Sequence, residues 1–198
     1  METFKKQYKD YPEYIDHQKG KLDKENYWIQ GFDENYSKIL NERLFIDFTA
    51  HNIEKGNALC LGARLGGEVR AFIKLGFFAV GIDLNPGEKN PHVLHGDFQD
   101  LQFPDRSVDI VFSNSLDHSF DIDKVMKEIK RVLKKDGFLI LEMAYGYEEG
   151  IKTGPYESFH WAKVGDMIKF IEEHEFTLIK RLGIVSPESG AHCVFKNG

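Results

Sequence analysis

The chain has 198 residues, 41% hydrophobic and 29% charged, and a formal net charge of −6. This length suits one domain with a sizeable core, and an acidic chain without a basic stripe argues against a nucleic-acid backbone as main partner. No apolar stretch approaches the ~20 residues that cross a bilayer, and Met1 to Lys6 lack the apolar core of a signal peptide, so no membrane partner is expected and the cytoplasm is the expected compartment.

Residues 1–24 are polar and tyrosine-rich (Tyr8, Tyr11, Tyr14) and carry no strand signal; they read as a fraying end or a short cover over a site. Residues 33–53 read as a helix, with Ile39, Leu40, Leu44, Phe45 and Phe48 close to one face. Together, residues 1–55 form an N-terminal helical cap within a single domain of residues 1–198. A β-α alternation follows. A strand is expected at 58–61, a helix at 68–75 and a strand at 78–82. Pro86 and Pro91 interrupt the chain before a short strand at 93–95, and a loop leads to a strand at 108–112. The helix at 122–134 has the clearest pattern: Ile122, Val125, Met126, Ile129, Val132 and Leu133 make one stripe, Asp121 is a fitting N-cap, and Gly137 sits just past the end. A strand at 138–141, a glycine-rich loop and a helix at 161–173 come next. Two apolar runs, 176–185 and 191–195, flank Ser186-Pro187-Glu188-Ser189-Gly190 as a hairpin-like ending. Repeated β-α alternation with an antiparallel finish means an α/β sheet covered by helices on both faces. Cys60 and Cys193 have no metal or disulfide spacing and read as buried small apolar residues.

The most informative segment is Leu59-Cys60-Leu61-Gly62-Ala63-Arg64-Leu65-Gly66-Gly67. An apolar strand runs into glycines and then a helix, and a second strand ends in Asp83 about twenty residues beyond Gly62. Gly62 permits a tight turn, Gly66 or Gly67 lets the backbone approach a ligand, and Asp83 can accept hydrogen bonds from both hydroxyls of a ribose. This describes a nucleotide-binding βαβ unit without saying which nucleotide. The spacing Gly62-x-Arg64-x-x-Gly67 also fits NAD(P), with the middle glycine replaced by Arg64.

Further blocks follow: Gly96-Asp97-Phe98, then Phe103-Pro104-Asp105-Arg106-Ser107-Val108-Asp109, Asn114-Ser115-Leu116-Asp117-His118, and the run from Glu128 to Gly137. With the glycine turn and Asp83, this order resembles a class I S-adenosylmethionine-dependent methyltransferase of the broad small-molecule type, over residues 57–143. The resemblance implies a Rossmann-like, doubly wound, seven-stranded sheet, mostly parallel with an antiparallel last strand. In that order Cys60 and Cys193 lie on strands too far apart to bridge. It also implies that Gly62, Ala63, Arg64 and Gly66 line the methionine part of the cofactor. Asp83 with Leu84 would hold the ribose, Asp97 the adenine amino group, and Phe98 the ring by its backbone N–H or by stacking. Asn114 would lie near the methyl sulfonium. Members of this family usually carry an acid where Cys60 stands, which helps hold the cofactor's ammonium, often through water, and a glycine where Arg64 stands. The Arg64 guanidinium can turn to the cofactor carboxylate or to solvent. The competing readings are an NAD(P)-binding oxidoreductase and a non-catalytic binding or adapter protein of the same fold.

Methyl transfer needs alignment, and a base helps when the acceptor is a hydroxyl or a protonated amine. His118 is the candidate base, with Asp117 to orient it; the alternative is that His118 gates the site or caps the next helix. His160-Trp161, Tyr145 and Tyr147 are a second set in the loop after residue 144. Tyr27, Trp28, Phe32 and Tyr36 suit a small organic acceptor, or else pack the helix at 33–53 onto the sheet. No Asp, Glu and His set shows metal-ligand spacing, and no metal is expected.

Overall fold

The apolar runs become strands of one sheet, and its central strands, Asn57–Leu61, Val108–Ser113, Leu133–Ala144 and Gly190–Asn197, are buried on both faces over most of their length. The computed structural model describes residues 3–24, 26–186 and 188–198, and the side chains of 5–21, 31–186 and 188–198. The chain begins β1 (Thr3–Lys5), α1 (Tyr11–Lys24), α2 (Asn26–His51), β2 (Asn57–Leu61), α3 (Gly67–Lys74), β3 (Phe78–Asp83) and β4 (Val93–His95). It continues β5 (Val108–Ser113), α4 (Ile122–Val132), β6 (Leu133–Ala144), β7 (Phe159–Trp161), α5 (Val164–Glu173), β8 (Phe176–Ile184) and β9 (Gly190–Asn197). Seven strands form a sheet in the order β4-β3-β2-β5-β6-β9-β8. The last strand, β9, runs antiparallel to both neighbours, and the other pairings are parallel. The order reverses between β2 and β5, and ligands of open α/β sheets bind outside the carboxyl ends of strands at such a switch point.

Alternation along β2 divides the core. Leu59 and Leu61 pack on one face, with Val125, Met126 and Ile129 of α4. Ala58 and Cys60 pack on the other, with Leu40 and Leu44 of α2 and Phe72 of α3. Cys60 and Cys193 are buried free thiols on β2 and β9, separated by β5 and β6.

The structure departs from sequence expectation at several joints. Residues 3–5 form a strand, paired antiparallel with β7 so that Thr3 lies opposite Trp161; a three-residue strand is too short for a periodic signal. Trp161, expected to open a helix, therefore lies in β7, and its indole N–H donates to the Ala144 carbonyl at 3.0 Å. Helix α2 starts at Asn26, ahead of the expected 33; the side chains of Tyr27 and Trp28 lie outside the described residues, as does Pro187. Its buried face is Tyr36, Leu40, Leu44 and Asp47, whereas Phe45 is 61% exposed because it sits one position off that stripe. Helix α4 is capped by Asp121, whose carboxylate accepts from the Lys124 N–H at 3.1 Å. It stops at Val132, since Leu133 is already extended and pairs with Val108. Gly137 is thus not a cap. It lies within β6, where a Cβ would come within 2.9 Å of the Asp109 and Lys134 carbonyl oxygens.

A buried ionic network fastens α2 to the sheet. Both ring nitrogens of His192 on β9 face carboxylate oxygens, Nε2 at 2.6 Å from Asp47 Oδ2 and Nδ1 at 3.0 Å from Glu142 Oε1. Both must donate, so the ring is an imidazolium. Lys180 also pairs with Asp47, Arg43 with Glu142 at 2.7 Å, and the Tyr36 hydroxyl donates to Glu142 at 2.8 Å. Burial pushes the His192 pKa down, but the hydrogen bonds and charges of Asp47 and Glu142 outweigh it and hold the pKa above its usual value. Burial likewise pushes Asp47 and Glu142 up, and their cationic partners bring both net below the usual carboxylate range. The His192 contribution to stability is then full below its unfolded pKa of about 6.5 and is lost as pH rises through the raised folded value. The carboxylate contribution is present above about pH 4 and is lost as pH falls through the lowered folded values. Replacing His192 with Leu strands two buried carboxylates. Urea unfolding at pH 6 is expected to show a loss of about 3–5 kcal/mol, shrinking toward alkaline pH; a loss under about 1 kcal/mol at pH 6 would contradict the network.

Candidate ligand cleft at the carboxyl edge of the sheet

The turn after β2 is held by specific bonds. The Ala63 N–H donates to the Ile82 carbonyl at 3.0 Å, and the Arg64 N–H donates to Asp83 Oδ2 at 3.0 Å. The other oxygen, Oδ1, accepts from the Asn85 N–H at 2.8 Å. Gly62 has φ 68°, and a Cβ there would meet the Ser115 Cβ at 2.7 Å, so this position admits only glycine. Arg64 also takes a left-handed φ of 40°, at the cost that a side chain brings to that region. Burial raises the Asp83 pKa, while the two backbone N–H groups work against the rise. Asp83 is therefore both the turn's fastener and a carboxylate on the cleft wall.

Two adjoining cavities open here. The first, about 510 Å³, is lined by Gly62, Arg64, Asp83, Leu84, Phe98 and residues of α1. The second, about 650 Å³, is lined by Asn114, Asp117, Glu142, Glu157 and Glu188 among others. They share Lys21, Arg64, Ser115 and His118. Of the remaining residues singled out in the sequence, Ala63 is buried in the core beside α3, and Gly66 is the N-cap of α3 with φ 84°. Asp97 lies under α1, where Oδ1 accepts from the Gln99 N–H at 2.8 Å and Oδ2 accepts from the Tyr11 hydroxyl. His160 and Trp161 line neither cavity; His160 Nε2 is 3.3 Å from the Ile151 carbonyl.

The cover over the first cavity is α1. Tyr14 is buried, and its hydroxyl donates to the His118 carbonyl at 2.9 Å. Gln18 donates to the Tyr156 carbonyl and to Ser158 Oγ at 2.8 and 2.9 Å, and the Asn85 amide donates to the Lys19 carbonyl at 2.8 Å. The rings of Tyr11, Tyr14 and Phe120 stand 5.2–5.4 Å apart. Of this set, the tyrosine density of residues 8–14 is the only part visible as a sequence signal.

The His118 environment is not one that strengthens a base. Nδ1 lies 2.9 Å from the Tyr156 carbonyl, which fixes the proton there and leaves Nε2 as the acceptor. Nε2 is 3.3 Å from the Lys21 ammonium and 3.8 Å from Asp117 Oδ1. Burial first, and the Lys21 charge second, hold the imidazole pKa well below its usual value. Asp117 moves the other way: burial, then the charge of Glu157, raise it to about 7. The fold also brings ligand atoms of Asp117, His118 and Glu157 within 4.8 Å of one another. No spacing in the sequence reveals that group, because Glu157 arrives from the loop before β7.

A family profile described as a methyltransferase domain matches residues 59–141. A relative from Bacillus subtilis, the uncharacterized methyltransferase YcgJ, is 27% identical over 142 residues, which are 61% of this chain and 56% of YcgJ. The match thus spans little more than half of that relative's length. Among solved structures, a 1,6-didemethyltoxoflavin-N1-methyltransferase from Burkholderia thailandensis, with bound 1,6-didemethyltoxoflavin and S-adenosylhomocysteine, superposes with a TM-score of 0.69 at 15% identity. That alignment covers 93% of this chain and 86% of that one. An S-adenosylmethionine-dependent methyltransferase from Clostridium acetobutylicum gives 0.65 at 14% identity, covering 82% and 92%. At these identities the structures speak to the fold. Among the described residues, no helix is long and apolar enough to cross a membrane.

The buried His118 imidazole should stay neutral through the physiological range. Its ring carbon-bound proton signals in NMR are expected not to titrate between about pH 5 and pH 8; a midpoint near about 6.5 would contradict the environment described.

Proposed function

We propose that this chain is a class I S-adenosylmethionine-dependent methyltransferase that transfers a methyl group from S-adenosylmethionine to a small organic acceptor at oxygen or nitrogen, a reading supported by the methyltransferase-domain match and the similarity to YcgJ. The observation that carries this reading is the Asp83 carboxylate at the end of β3, hydrogen-bonded to the backbone of the glycine-shaped turn after β2 and lining the cleft beside the sheet's switch point. The residues present fit the cofactor. Asp83 has lone pairs left for two ribose hydroxyls after accepting two backbone bonds. Phe98 and Leu84 line the first cavity and are the residues proposed for the adenine, with Asp97 behind them, its carboxylate held by Tyr11 and Gln99. Arg64 lines both cavities, fit for a carboxylate, and Asn114 lines the second beside the shared Ser115.

When bound, S-adenosylmethionine supplies an electrophilic methyl group on a sulfonium. The protein's part is proximity, alignment and exclusion of water. Tyr14 and the rest of α1 keep solvent from the first cavity, and the second cavity is the room for an acceptor. We assign His118 to positioning and not to strong base catalysis, because its lone pair already faces an ammonium. Asp117, with a pKa near neutrality, is the better matched of the two to receive a proton. The NAD(P) reading is disfavoured because Arg64 carries a side chain where the backbone must meet a pyrophosphate.

Calorimetry tests the reading. S-adenosylmethionine and S-adenosylhomocysteine are expected to bind in the micromolar range and NAD(P) not to bind. Nicotinamide-cofactor binding without adenosylhomocysteine binding would overturn it.

A further inference from the structure

Glu68 stands in the first turn of α3 with only 7% of its surface exposed. One carboxylate oxygen accepts from the Asn114 amide at 3.2 Å, and the other, Oε2, has no hydrogen-bond partner among the described residues. A buried carboxyl with an open oxygen is costly to keep and asks for a ligand that completes it. Burial pushes this group up to about 8, and a cation placed beside it would restore the charged form.

The surroundings say what kind of cation. The Ser115 hydroxyl lies 2.9 Å from Asn114 Oδ1 and 3.5 Å from the Gly62 carbonyl. Asn114, which lines the second cavity, thus joins Glu68 through its amide N–H and Ser115 through its Oδ1, while Glu68 itself lines neither cavity. Arg64 lines both cavities, and its guanidinium makes no hydrogen bond or ion pair among the described residues. An open carboxylate oxygen behind the cavity-lining Asn114 and an unpaired guanidinium lining the same cavity suit a zwitterion, the ammonium on Glu68 and the carboxylate on the arginine. Cys60, at the end of β2, cannot serve as the anion: its thiol is fully buried, and burial followed by the charge of Glu68 keeps it protonated.

We propose that Glu68, acting from α3, is the positioning carboxylate for the α-ammonium of the cofactor's methionine end, in place of an acid on β2. This rests on the cofactor assignment above. The carboxylate anchors the amino-acid tail and so fixes the direction in which the sulfonium methyl points toward the second cavity.

The test compares two ligands that share the nucleoside. S-adenosylhomocysteine carries the amino-acid end, and 5′-methylthioadenosine lacks it. Calorimetry on E68Q is expected to show adenosylhomocysteine binding weakened about tenfold or more, the loss of a charge-assisted bond, with methylthioadenosine changed by less than about twofold. Equal loss of both ligands would mean a structural role and overturn the proposal, as would no loss of either. A native chain that binds neither ligand would overturn the cofactor assignment together with this proposal. A native chain that binds both, with E68Q indistinguishable from it, would overturn this proposal alone. Should E68Q not fold, the native chain supplies the same decision. Adenosylhomocysteine with its amino group replaced by hydrogen is expected to bind about tenfold more weakly or worse, and equal affinity would overturn the proposal.

Discussion

A single carboxylate sets the geometry on which the cleft depends. Asp83 ends β3 and accepts the N–H groups of Arg64 and Asn85, tying the turn after β2 to the start of the next loop. Without that tie, the turn would have to satisfy two partly buried backbone donors elsewhere. With it, Gly62 is held against Ser115, Arg64 is held in a left-handed conformation, and the cleft wall forms between β2, β3 and β5. The same carboxylate lines the first cavity, so the group that builds the site is also the one proposed to recognise its ligand.

Around this wall the chain uses α1 as a roof and α2 as a strut. Helix α1 lies over the first cavity through Tyr11, Tyr14 and Gln18, each hydrogen-bonded to groups beyond α1. Helix α2 is fixed by Asp47 and Tyr36 to His192 and Glu142 on the antiparallel side of the sheet. That buried network is the rigid side of the structure. The roof is held by aromatic packing and by hydrogen bonds such as Tyr11 to the Asp97 carboxylate and Tyr14 to the His118 carbonyl.

What the sequence discloses follows from which constraints are local. The parallel strands are legible because burial on both faces demands continuous apolar runs, as at 58–61 and 108–112. The glycine turn is legible because only glycine fits at Gly62. The helix α4 is legible because its buried stripe repeats at helical spacing. Distant pairings are not. The three residues of β1 need β7 to become a strand, and Trp161 looks helical until that pairing claims it. Asp117, His118 and Glu157 converge only in space. The character of His118 is invisible in a residue string, because it is set by burial and by a lysine from α1. Glu68 reads as an ordinary first-turn acid until its burial and open oxygen are seen.

The central claim is that the cleft beside Asp83, under α1, is where the cofactor sits. A crystal structure of the chain with S-adenosylhomocysteine tests it most directly. The account predicts both ribose hydroxyls within hydrogen-bond distance of the Asp83 carboxylate, the adenine between Asp97 and Phe98, and α1 closed over the nucleoside. A bound nucleoside without contact to Asp83, or seated outside the turn at Gly62, would contradict it.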